Sequence, residues 1–120
     1  MKNVFALAGL ALTITLSTVP IAHASAFWGG TVINVADWDV LNIRAWPAAS
    51  SRILDSYDNG DPVSLTGRCK NTTNNLSFRI DAGGSARWKF SKMSTANVWC
   101  QVMSPSSQLG WVRGKFVWPE

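Results

Sequence analysis

From residue 27 onward the chain alternates. In "DVLNIR", Leu41 and Ile43 fall on one side of an extended backbone and Asn42 and Arg44 on the other. In "PVSLTGRC", Val63, Leu65 and Cys69 oppose Ser64, Thr66 and Arg68, and in "NVWCQVM", Val98, Cys100 and Val102 oppose Trp99, Gln101 and Met103. A period of two is what a strand with one buried face requires. "TVINVAD" and "RILDSY" add two more short candidates. Between these segments run "WPAASS", "DNGDP", "NTTNN" and "SPSSQLG", turn formers at the spacing of short antiparallel strands. No helix-period run is evident after the first 26 residues, so the chain is predicted to be all-β, a small barrel or a sandwich.

"LSFRIDAGGSARWKFSK" alternates as well. Leu76, Phe78 and Ile80 on one side of the Gly83-Gly84 pair answer Ala86, Trp88 and Phe90 on the other, which predicts an extra β-hairpin at about 74–92. Its reverse face would carry Arg79, Arg87 and Lys89, with Lys92 just beyond. A lone hairpin is marginal in water, so its apolar face must lie on the barrel, on a second copy or on a ligand.

The first 26 residues differ from all of this. Lys2 precedes an apolar run from Val4 to about Leu16, followed by Pro20 and small residues in an A-x-A arrangement, the pattern of a cleaved secretory signal. The run fades through Thr13, Thr15, Ser17 and Thr18, short of the roughly 20 apolar residues a membrane anchor needs. Residues 27–120 then form a single domain near the size at which one core becomes self-sufficient. The chain has two cysteines, Cys69 and Cys100, both on predicted inward faces, and an exported, oxidising setting (periplasmic or secreted) favours a disulfide between them. A free thiol or a metal pair is the competing reading.

Charge and chemistry narrow the function classes. Setting Lys2 aside leaves ten Lys and Arg against seven acidic residues, a mild basicity that outside the cytoplasm suits anionic envelope surfaces better than nucleic acid. The only histidine, His23, belongs to the leader, and Glu120 is the only glutamate. Of the aspartates, Asp37, Asp39, Asp55, Asp58, Asp61 and Asp81, no two are marked as an acid and base pair, and Asp58 and Asp61 flank "NG" as turn residues would. No enzyme, metal site or cofactor is expected. Seven tryptophans remain to be placed. Trp99 and Trp111 lie within strand-like segments and suit volume filling, whereas Trp38, Trp46 and Trp118 sit at turns or ends, where a wet ring can stack on a sugar or grip a peptide.

Four segments taken in order, "LNIRAWPA", "ILDSYDNG", "WCQV" and "GWVRGKFV", resemble the bacterial SH3 domain family, with its opening motif like "LNVRSGPS" and its closing "GWVSSKYL". The resemblance implies a small, partly open antiparallel barrel that binds and does not catalyse, typically a targeting module of cell-wall enzymes or a free-standing envelope protein. It further implies peptidoglycan, by stem peptide or glycan, as ligand, with Trp38, Arg44 and Trp46 as candidate contacts. The alternative is an adaptor whose basic hairpin face, Arg79, Arg87 and Lys89, docks another envelope protein. The chain departs from the family at Trp46, where glycine commonly precedes the proline. It departs again in the long stretch between Asn71 and Asn97, which could cover any carried-over groove.

Overall fold

The computed structural model describes residues 27–80 and 83–120; the expected leader, 1–26, and Asp81 lie outside the described residues. Eight strands follow in order: β1 (Trp28–Val32), β2 (Leu41–Arg44), β3 (Ile53–Tyr57), β4 (Pro62–Asn71), β5 (Leu76–Arg79), β6 (Val98–Met103), β7 (Leu109–Arg113) and β8 (Val117–Pro119). Among the described residues one helix, α1 (Ala86–Met93), stands between β5 and β6, and a 3-10 turn, Gly114–Phe116, joins β7 to β8. The described residues are all-β apart from these, and every strand pair among them is antiparallel.

The strands run β3-β2-β7-β6-β4-β1-β8 across one sheet, with β5 branching from β4. Alternation sets the inner face: Leu41, Ile43, Val63, Leu65, Cys69, Val98, Cys100, Val102, Val112 and Val117 are all buried in one cluster. The sheet curls around it. Tyr57 of β3 donates its hydroxyl to the Met103 carbonyl of β6 at 3.1 Å although β2 and β7 lie between them, a span of roughly 14 Å in a flat sheet. Burial, with Asp55 and Asp61 nearby, pushes the Tyr57 phenol up to about 12.

The long strand β4 changes partners partway. Its first half pairs with β1 (Trp28 opposite Leu65) and its second half with β5 (Cys69 opposite Phe78). Gly67 lies at the change, with φ +93 in the left-handed region that favours glycine and a register shift against β6 around it. Beyond that shift Cys69 sits directly opposite Cys100, and the two sulfurs are bonded. Closing a loop of this length contributes about 3–4 kcal/mol in the chain-entropy treatment. Such a bond persists in an oxidising compartment. No helix among the described residues is long and apolar enough to cross a membrane.

Two expectations need correction. Strand β1 begins at Trp28 and stops at Val32, earlier than "TVINVAD" suggests, because Asn34 turns the chain at φ +61. More importantly, the second arm of the hairpin at 74–92 is helical. Ser85 caps α1, its hydroxyl accepting from the Trp88 amide at 3.1 Å, and good helix formers follow in Ala86, Arg87, Lys89, Lys92 and Met93. Ala86, Phe90 and Met93 recur at intervals of four and three, so the helix lays one side on the body: Met93 is fully buried and the Phe90 ring lies 5.0 Å from that of Trp118. Gly114 permits that docking, since a methyl group there would run into the Met93 carbonyl.

Candidate functional site

The outer face of the sheet holds one basic and aromatic groove of about 220 Å³. Its floor is Trp99, which is only 5% exposed yet stands outside the core cluster, because β6 directs Val98, Cys100 and Val102 inward and Trp99 the other way. Trp99 lies between Lys70 of β4 and Arg113 of β7 in the sheet register, and the Arg113 guanidinium rests over its ring at 5.1 Å. Arg44, opposite Trp111, reaches the same groove from β2. Diagonal neighbours of this kind have Cα atoms about 7–8 Å apart, so the two arginines line one hollow. Val40, Asn42, Ala49 and Phe116 help to line it, and no carboxylate does.

The turn after β2 positions Arg44. A register irregularity falls at Ile43 and Arg44, and Arg44 Nη1 donates to the Ser51 carbonyl at 2.9 Å. Ser51 also closes the turn from the other side: its hydroxyl accepts from the Trp46 amide at 3.1 Å and donates to the Trp46 carbonyl at 3.0 Å. That clip explains how an aromatic residue stands where glycine would be usual. Trp46 has ordinary backbone dihedrals, the Trp46-Pro47 bond is trans, and the ring is left 70% exposed instead of covering the sheet.

Of the three expected contacts, Trp38, Arg44 and Trp46, Arg44 alone lines this groove. Trp38 precedes β2 and Trp46 follows it, so they flank opposite ends of the strand, and neither lines the groove that Arg44 enters. Trp38 is 90% exposed. The basic hairpin face is likewise divided: Arg79 is exposed on β5 and Arg87 on α1, but Lys89 is buried. Lys89 Nζ donates to the Glu120 main-chain oxygen at 3.0 Å and lies 4.4 Å from the centre of the Trp28 ring, a structural clamp on β8 and not a partner contact.

Two residues of the outer groove escaped sequence reasoning. Arg113 lies inside the "GWVRGKFV" motif that carries the resemblance, and Trp99 reads from its strand-like segment as volume filling; the available signal is that Trp99 and Arg113 both alternate to the polar face. A second and larger hollow, of about 460 Å³, opens between β5 and α1, with Trp88 and Lys92 on the helical side. The alternation of "ARWKF" turns Trp88 inward, whereas on α1 it is exposed.

The aspartates are spread out. Asp61 accepts from the Asp58 amide at 2.8 Å as a turn residue, and Asp55 is held below the usual carboxylate range chiefly by the Ser56 amide and the Ser106 hydroxyl. Among the described residues no three histidine, cysteine or carboxylate side chains gather in a form that would hold a metal ion. No protein-family model, curated protein or solved structure matches the chain.

Proposed function

We propose that this protein is a non-catalytic, exported binding module of the bacterial SH3 type that recognises cell-wall peptidoglycan through its carboxylate-bearing stem peptide. The observation that carries the reading is that Arg44 and Arg113 line one hollow, Arg113 over the Trp99 ring at its floor, with no acidic residue lining it. A planar fork of donors suits a carboxylate, and Arg44 spends one donor on Ser51 and keeps the rest. An apolar floor with a few convergent polar groups is the usual make-up of a small-ligand site. Trp46, at the end of the turn that fixes Arg44, offers a further ring to a glycan or peptide running past.

Sedimentation with purified insoluble cell wall tests this. A charge-assisted hydrogen bond is worth about 1.5–3 kcal/mol, so Arg44→Gln combined with Arg113→Gln should weaken retention by at least tenfold while leaving the circular dichroism unchanged. Trp46→Ala should weaken it less. A protein that fails to sediment at any ionic strength, or whose retention survives loss of both guanidiniums, is not the module proposed.

A further inference from the structure

Four neighbouring strands of the body, β2, β7, β6 and β4, contain no acidic residue. Their outward alternate positions include Arg44, Arg113, Arg68 and Lys70. A face of one sign draws anions toward it, and most strongly where its cations converge. Arg44 and Arg113 line the outer hollow; Lys70 stands on the far side of its floor.

The register places Lys70. On β6, Trp99 has Arg113 of β7 as one neighbour and Lys70 of β4 as the other. Two strand spacings separate β7 from β4, about 9.5–10 Å. Trp99 is 5% exposed, so its ring acts between the two cations as a spacer and not as a platform. The cations themselves differ. The Arg113 guanidinium rests over the ring at 5.1 Å, whereas the half-buried Lys70 ammonium has no hydrogen bond, ion pair or ring contact among the described residues. Its neighbour on the other side, Ser77 of β5, is short and neutral. An ammonium with three unspent donors is a second place for an anion.

That separation describes a ligand. An extended peptide advances about 3.3 Å per residue, so groups about 10 Å apart belong to residues three apart along it. A planar fork suits one carboxylate and a point charge the other. We infer that the ligand of the outer hollow is a short extended peptide with two carboxylates about three residues apart, the first held by Arg44 and Arg113 and the second by Lys70 across the Trp99 ring. This rests on the reading of the hollow as a carboxylate site and adds a specificity to it. A stem peptide with either acid converted to its amide is discriminated against.

Calorimetric titration of the oxidised protein with synthetic N-acetyl-Glu-(Ala)n peptides of increasing length, each with a free or an amidated C-terminus, tests the inference. Among the free acids affinity should peak where the carboxylates stand about 10 Å apart. There the free acid should bind at least about threefold more tightly than its amide, the order expected of one partly exposed charge pair. Lys70→Gln should erase that difference without moving the urea midpoint. Arg68→Gln, an equal loss of charge on the same strand, should leave it. Arg44→Gln combined with Arg113→Gln should weaken free acid and amide alike. If Lys70→Gln leaves the difference in place, if Arg68→Gln removes it as fully, or if affinity is indifferent to length, the second subsite is overturned and the hollow stands. If no peptide binds, or the double arginine variant binds as the unaltered protein does, the hollow fails as a carboxylate site and the inference falls with it. Tighter binding of a glycerol phosphate trimer than of every peptide would overturn it as well, by making this a face for phosphate-bearing polymers.

Discussion

The sheet body and the segment from Leu76 to Met93 are written in the same alternating style and fold differently. On β4 and β6 each apolar alternate residue is buried, and the rung at Cys69 and Cys100 joins the two strands covalently. Along the insertion, Ile80, Met93 and the stem of Lys89 reach the interior, while Leu76 and Trp88 stay in water beside a groove. The difference is one of neighbours. β4 and β6 each have partners on both edges, so alternation is enforced by long-range pairing. The residues after Gly84 have no strand to pair with, and local signals, the Ser85 cap and helix-forming side chains, decide instead. The body buries its apolar residues; the insertion leaves some of its own in water.

The sharpest way to break this comparison is at the sulfurs. Replacing Cys69 and Cys100 together by alanine should cost about 3–4 kcal/mol in urea denaturation, the loop-closure value for their spacing. A loss below about 1 kcal/mol would mean that the ladder alone holds the body and that its contrast with the insertion has another origin. Next comes the seam between the two regions. Gly114→Ala forces a methyl group onto the Met93 carbonyl, and overpacking of this kind costs about 1–3 kcal/mol. Because the clash lies where α1 meets the 3-10 turn, α1 amides should lose hydrogen-exchange protection before those of β6. Simultaneous loss would make body and insertion one cooperative unit.

The third test reads the body alone, through Tyr57, the only tyrosine in the chain. Its phenol is raised from 10.0 to about 12, first by burial and then by Asp55 and Asp61. A folded value above the unfolded one means that the native state holds its proton more tightly. The stability this contributes is complete below pH 10 and is lost as pH rises from 10 toward 12. Phenolate absorbance should therefore appear late and together with loss of native structure. A midpoint near 10 in the still-folded protein would show that the Tyr57 hydroxyl is not sequestered against Met103.

Much of the body was legible because its physics is periodic. Leu41 and Ile43, Val63 and Leu65, and Cys100 and Val102 each face inward as the two-residue period demands. The disulfide followed because both cysteines share that phase. The sites were less legible, since they depend on which strands become neighbours, and no local pattern encodes that. Arg44 and Arg113 are 69 positions apart and meet only because β2 pairs with β7. Trp38 and Trp46, close in sequence, are parted by the strand between them. The insertion misled for a different reason: in a two-turn helix the spacing of Ala86, Phe90 and Met93 and the alternation of Ala86, Trp88 and Phe90 are both present, and only the Ser85 cap distinguishes them.

That ambiguity supplies the smallest and most specific test. Ser85→Ala removes the acceptor for the Trp88 amide, and loss of such a cap costs about 1 kcal/mol. In the body a change of that size would be diluted over a cooperative ladder. In α1 it acts on eight residues whose remaining hold is the burial of Met93, the Lys89 clamp and the Phe90 contact with Trp118. Exchange protection in Ala86–Met93 should fall severalfold while that of β4 and β6 is unchanged, and the wall of the groove that carries Trp88 and Lys92 should loosen with it. If local cap chemistry selects helix over strand here, a helix-breaking Lys92→Pro should have the same regional signature at greater amplitude. If both variants lowered protection evenly across the sheet, the insertion would owe its conformation to the body, and the division between a paired framework and a locally determined insertion would fail.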